Sequence, residues 1–202
     1  MKLYFAPQTR AVRVVWLLEE LGLSYELVRF TLGDPAMRDP AFLAVSPLGR
    51  VPVLEDGDVR LFESGAIIQY LLARHGGGAL VPDVADPAFP VYLQWLHYAE
   101  GMLMPPVNTL VVETVLLPPE RRNEVNVKRA AKLLGQMVAA VDAHLADGRP
   151  YLAGDFTAAD VMLGHALAAG HRFGADLNGA PHVQAYLDRL AARPAWGRAH
   201  AL

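Results

Sequence analysis

Every strand-like stretch of this chain lies in its first third. Lys2–Ala6, "KLYFA", is a short apolar and aromatic run that ends at Pro7, and Ser24–Phe30, "SYELVRF", alternates as a half-buried strand does. Val51–Phe62, "VPVLEDGDVRLF", reads as two strands turned at Asp56-Gly57, a common hairpin pair. After about residue 75 apolar residues recur at helical spacing and nothing reads as a strand. This asymmetry confines any sheet to a small N-terminal α+β domain and leaves the remainder to pack as helices.

The helical segments punctuate that plan. Val14, Leu17, Leu18 and Leu21 share one face of a helix that opens near Ala11, and Gly22 is its stop. "GDPAMRDP" (33–40) reads as loop and "AFLAV" as a short helix. Glu63–His75 forms a further helix with Ile67, Ile68, Leu71 and Leu72 on its buried side. The Gly-, Pro- and Asp-rich stretch "GGGALVPDVADP" reads as a linker, giving an expected division into 1–77, a linker at 78–86, and 87–202. Later helices are expected over Ala88–Val112, bent near Pro105-Pro106, over Pro119–Leu145, from Thr157, and around Val183–Ala192. "FTAADV" (156–161) is a capping box, with Thr157 and Asp160 as the reciprocal pair, and its role is structural.

Composition narrows the function. Hydrophobic residues make up 53% of 202, enough for a substantial core, and the net charge is -3 with no basic run, which argues against a nucleic-acid partner. No apolar run approaches the roughly 20 residues that span a bilayer, and the N-terminus lacks a signal-peptide pattern, so a cytoplasmic protein without membrane contact is expected. There is no cysteine, so any thiol chemistry must use a thiol brought by a ligand. His97, His165 and His171 form no metal-ligand spacing, and "GGG" (76–78) lacks the lysine of a phosphate loop; no metal is expected.

One stretch resists a purely structural reading. In "GRVPVL" (49–54) a proline sits inside an apolar strand, although proline has no N–H for a sheet ladder. Pro52 is either a trans residue on an edge strand, or its missing donor belongs to a site.

Four segments taken together, "TRAVRVVWLLEELGLSYE", "SPLGRVPVL", "FESGAIIQYL" and "AGDFTAADVML", are similar in order and separation to the cytosolic glutathione transferase family. The resemblance covers nearly the whole chain. It implies a thioredoxin-like α+β N-terminal domain, an all-α C-terminal domain and a two-fold homodimer. It also implies that the Val51-Pro52 bond is cis, so that Val51 exchanges main-chain hydrogen bonds with the cysteinyl part of glutathione, as an added strand would. Ser64, at a helix start, is then placed for the γ-glutamyl carboxylate and Glu63 for the ammonium. Arg38 and Arg50 are candidates for the glycyl carboxylate by charge.

The family's serine-type motif runs into "WLLEELGL", and here Thr9 stands at the serine position. The chain thus resembles a serine-type bacterial member with threonine in that place. Thr9 keeps a hydroxyl that can donate to a thiolate, while the helix start offers backbone N–H groups for the same task. Tyr4 is a weaker candidate. Pro7, Tyr98, Met102 and Met104, with His97, are candidate walls of an acceptor site expected between the two domains. The implied activity is conjugation of reduced glutathione, as co-substrate and with no permanently bound cofactor, to small electrophilic, mostly apolar compounds. Glutathione-dependent peroxide or disulfide reduction, and a non-catalytic binding or assembly role on the same fold, remain open.

Overall fold

A computed structural model describes residues 1–202. The chain forms two compact units, Met1–Val81 joined by Ala191–Leu202, and Pro82–Leu190. In the first unit, β1 (Lys2–Phe5), β2 (Glu26–Arg29), β3 (Val53–Asp56) and β4 (Val59–Phe62) form one sheet in the order β2-β1-β3-β4. β2 runs parallel to β1, which requires a crossover, and α1 (Ala11–Glu20) supplies it. β3 pairs antiparallel with β1, and β4 returns along β3 through a turn where Gly57 takes φ +58°. This is the small α+β domain that the strand pattern predicts, in the thioredoxin-like arrangement that the resemblance implies.

Side chains alternate across the sheet and so divide between two layers. Leu3, Phe5 and Leu54 are fully buried on the face covered by α1 and α3 (Ser64–His75), together with Val14, Leu17, Leu18, Ile67, Ile68 and Leu71. Truncating any one of these leucines to alanine would cost about 2–5 kcal/mol. The opposite face is thinner. Phe42 of α2 (Pro40–Leu43) packs its ring 5.7 Å from Tyr4 and 4.7 Å from Phe30, around a small cluster of Ala6 and Met37 with Val51 at its margin. Within the stretch expected as loop, Pro35–Arg38 makes one 3-10 turn, its start held by the Asp34 carboxylate.

The second unit is helical: α4 (Ala88–Tyr98), α5 (Met104–Val111), α6 (Glu124–Leu145), α7 (Ala158–Arg172) and α8, which spans Pro181–Ala191. The single helix expected over 88–112 is divided by a π turn at Ala99–Leu103, and a second π turn follows at Val112–Leu116. Pro105 and Pro106 therefore sit near the start of α5, where a missing N–H is tolerated, and the hydrogen-bond register slips just ahead of them. α6 begins five residues later than expected because Asn123 caps it, accepting from the N–H groups of Val125 and Asn126, while Pro119–Arg121 forms a separate 3-10 turn. Thr157 and Asp160 form the expected capping box of α7. The buried Asp160 carboxylate also accepts from Leu152 N–H at 3.0 Å and Tyr186 hydroxyl at 2.8 Å, tying α7 to α8.

A final helix, α9 (Pro194–His200), has no counterpart in the sequence reading and belongs to the first unit. Trp196 packs edge-on against the buried Trp16 of α1 at 4.7 Å, and Arg193 forks onto Glu20 at 2.7 and 2.8 Å. Arg198 and the Tyr25 hydroxyl both reach Glu19, and together they hold its carboxyl below the usual carboxylate range, Tyr25 contributing most.

Candidate functional site

The sheet registers bring three chain segments to one end of the first unit. Tyr4 lies opposite Val53, and Val53 opposite Phe62. Continuing two residues in each direction sets Val51 between Ala6 and Ser64. The β1–α1 loop, the stretch before β3 and the first turn of α3 therefore meet at this end, and both helices begin there.

The Val51-Pro52 bond is cis. β3 starts only at Val53, and neither the N–H nor the C=O of Val51 makes a hydrogen bond within the chain. Val51 is half-buried, and a ligand main chain could satisfy both groups. The loop leading into it is braced. Ser46 is buried, and its hydroxyl donates to Arg50 C=O at 2.8 Å while accepting from Arg50 N–H at 3.0 Å. Gly49 has φ +58°, and a Cβ there would stand 2.4 Å from the Met37 carbonyl, so only glycine fits. Arg50 is exposed with no side-chain hydrogen bond, whereas Arg38 donates to the Leu48 carbonyl at 3.3 Å.

At α3, Glu63 is exposed and occupies φ +73°, a region that costs a non-glycine residue roughly 1–2 kcal/mol. Such strain persists only where the surroundings impose it, and it gathers at functional sites. The N–H groups of Ser64, Gly65 and Ala66 have no partner in the chain. Three open donors at the positive end of a 12-residue helix suit an anion. The Ser64 side chain is 2% exposed, and its Oγ accepts from Nη1 of Arg13 at 3.3 Å.

α1 presents a different picture. Thr9 Oγ1 accepts the Ala11 N–H at 3.2 Å, and its hydroxyl donates to Ala6 C=O at 2.7 Å. The N–H groups of Val12 and Arg13 are taken by the carbonyls of Thr9 and Arg10. The first turn of α1 thus satisfies its own donors, leaving the Thr9 hydroxyl as the group that can exchange acceptors. Tyr4 is not at this end: its hydroxyl donates to Glu55 at 3.2 Å on the α2 face, and burial, followed by the Glu55 charge, raises its pKa.

The acceptor-wall candidates scatter. Pro7 is half-buried in the β1–α1 loop. In the helical unit the Tyr98 hydroxyl donates to Met137 C=O at 3.1 Å, Met104 is buried, and Met102, in the π turn, is 43% exposed. Of the two methionines only Met102 offers surface. No group of three or more His, Asp or Glu side chains is gathered anywhere.

Sequence reasoning passed over Arg13, Ser46 and Gly49. Arg13 matches the second arginine of the Ser-Arg-x-x-Arg pattern of serine-type members, but a charged residue inside a helix reads as a solvated one, and the match assigned it no role. Gly49, within "SPLGR", had the better chance of being noticed as a turn residue.

A thioredoxin-like sheet unit followed by a helical unit, with this site at the sheet end, defines the class of protein. The family model for the glutathione S-transferase N-terminal domain matches residues 1–73, and that for the C-terminal domain matches 103–194. The chain belongs to the glutathione S-transferase family. It is 39% identical over 194 residues to glutathione S-transferase 4 of Zea mays, covering 91% of this chain and 83% of the maize protein. It is 30% identical over 190 residues to the glutathione S-transferase GstB of Escherichia coli K12, covering 93% and 90%. Among solved structures, a theta class glutathione S-transferase from Xanthomonas axonopodis pv. citri with glutathione bound superposes with a TM-score of 0.86 at 29% identity, covering 100% of this chain and 97% of that one.

Proposed function

We propose that this chain is a glutathione transferase that joins the thiol of reduced glutathione to small electrophilic, mostly apolar compounds. The unpaired N–H and C=O of Val51, at the same sheet end as the open first turn of α3, carry the reading. An extended tripeptide would pair its cysteinyl main chain with Val51 beside Pro52, as a strand adds to a sheet edge. Its γ-glutamyl carboxylate would meet the N–H groups at Ser64, and its ammonium Glu63. Arg50, with its guanidinium uncommitted, is the better of the two arginine candidates for the glycyl carboxylate, with Arg38 second. In this reading the glutathione-binding domain is residues 1–77 and the linker 78–86; the helical domain starts at 87 but ends ahead of 191–202, which belong to the first unit.

The thiol would lie near Thr9, as in serine-type members but with threonine supplying the hydroxyl. Because the first N–H groups of α1 are already bonded, the Thr9 hydroxyl is the donor that turns from Ala6 to the thiolate. A donor there favours thiolate over thiol, and holding the nucleophile beside the acceptor supplies the remainder of the rate. Pro7 and Met102 are the acceptor-contact candidates with surface to offer. A cytoplasmic homodimer that binds no permanent cofactor completes the reading.

Steady-state assays with glutathione and a chlorinated nitroaromatic, run beside assays with a hydroperoxide, test it. Conjugation as the faster reaction is expected. Turnover of the hydroperoxide alone would favour the reductive role, and turnover of neither would favour a binding protein.

A further inference from the structure

The most unusual polar group in the first unit is Arg13. It sits in the first turn of α1, its side chain is fully buried, and its Nη1 lies 3.3 Å from Ser64 Oγ at the start of α3. Long charged side chains are almost never fully buried unless they are paired. We propose that Arg13 is a positioning residue that fixes the direction of the Ser64 hydroxyl and so sets selectivity for a carboxylate at the α3 terminus. The inference rests on the glutathione reading given above.

The chemistry of the pair gives the argument. A guanidinium has donors and no acceptor, whereas a hydroxyl has one proton and two lone pairs. In this contact Ser64 must therefore be the acceptor, and its own proton is turned away from Arg13. With Ser64 fixed as an outward donor, the first turn of α3 offers only donors: the hydroxyl and the N–H groups of Ser64, Gly65 and Ala66. Such a set recognises an anionic oxygen and has nothing to offer an ammonium or an amide N–H. Without Arg13 the hydroxyl could rotate and present a lone pair, and the discrimination would weaken. The contact also links the first turns of α1 and α3, so one side chain holds both helix starts in register at the site.

The test compares two tripeptides by calorimetry. One is reduced glutathione. The other carries 4-aminobutyrate in place of the γ-glutamyl residue and lacks only the α-carboxylate. Wild type should prefer glutathione by about tenfold or more, as expected for a hydrogen-bonded charged group. Arg13→Met should lose most of that preference while binding the decarboxylated tripeptide as wild type does, and Arg13→Lys, still a donor-only cation, should regain part of it. In a Ser64→Ala background, Arg13→Met should change the preference by less than about twofold, because the hydroxyl it directs is gone. Arg13→Gln, which can donate or accept, is measured in parallel and decides the question if Arg13→Met does not fold. An unchanged preference in the Arg13 variants refutes the role of Arg13 and leaves the glutathione reading intact. Equal weakening of both tripeptides, or failure of both Arg13→Met and Arg13→Gln to fold, makes Arg13 a core residue only and overturns the proposal. If wild type binds neither tripeptide, the glutathione reading itself fails.

Discussion

Replacing Thr9 by valine keeps the branched shape and removes only the hydroxyl, and two separable losses follow. The first is structural. Oγ1 accepts the Ala11 N–H at 3.2 Å, and its proton goes to Ala6 C=O at 2.7 Å. Loss of a hydroxyl serving a helix start costs about 1 kcal/mol, which thermal or chemical denaturation of the free protein reads. The second loss concerns the bound thiol. On the proposed function, the Thr9 proton would exchange a neutral carbonyl for a charged sulfur when glutathione binds. A neutral hydrogen bond contributes about 1 kcal/mol and one to a charged group about 1.5–3 kcal/mol, so the exchange favours thiolate by roughly 0.5–2 kcal/mol, or about one pKa unit. In Thr9→Val the bound thiol should titrate about one unit higher. Conjugation below that pKa should fall by up to about tenfold, and the two enzymes should converge at high pH, where thiolate forms unaided. Ultraviolet titration of the bound thiolate gives the shift directly, and Thr9→Ser should behave as wild type or better. If wild type and Thr9→Val titrate together while the stability loss is seen, Thr9 is only a cap and the hydroxyl does not activate the thiol.

Other outcomes are equally open to measurement. Ser64→Ala should weaken glutathione binding by about 1–3 kcal/mol in calorimetry, and identical affinity would remove Ser64 from the site. Asp160→Ala should lower the unfolding free energy by about 3–5 kcal/mol in urea, because it strips the acceptor from Leu152, Thr157 and Tyr186 inside the helical unit; a loss under about 1 kcal/mol would contradict that network. Glu19, whose carboxyl is depressed first by Tyr25 and then by Arg198, contributes stability that is complete above the ordinary carboxylate range and is lost as pH falls through its folded pKa. The fall in stability on acidification should therefore be shallower in Glu19→Gln, and an unchanged pH profile would show that the Glu19 carboxylate does not contribute. Leu48, Val59 and Phe62 are 62%, 37% and 48% exposed on the sheet unit, and a homodimer would cover such apolar surface; light scattering should report twice the 22.0 kDa chain mass, and a monomer at micromolar concentration would refute it.

The sequence declared the fold where its signals were local. Alternation in "SYELVRF", the Asp56-Gly57 turn and the Thr157–Asp160 box each depend on residues a few positions apart, and β2, the β3–β4 hairpin and the start of α7 appear where those signals lie. The π turns were hidden because Pro105-Pro106 advertises a bend at the prolines themselves, while the register slips ahead of them, at Ala99–Leu103. α9 was missed because its apolar anchor, Trp196, finds Trp16 some 180 residues away, and no period over seven residues could announce it. At the site, Val51, Pro52, Glu63 and Ser64 could be named from the resemblance, since their spacing survives in the linear chain. Arg13 falls on the second arginine of the serine-type motif, but its role could not be read there: it lies in a contact across 51 residues, made only once α1 and α3 share a sheet end.

On the proposed function, an extended tripeptide completes the sheet end at Val51. A crystal structure with reduced glutathione soaked in tests it most directly. Paired main-chain hydrogen bonds between Val51 and the cysteinyl residue are expected, with the γ-glutamyl carboxylate on the N–H groups at Ser64. Glutathione seated elsewhere, or Val51 still unpaired beneath a bound tripeptide, would contradict it.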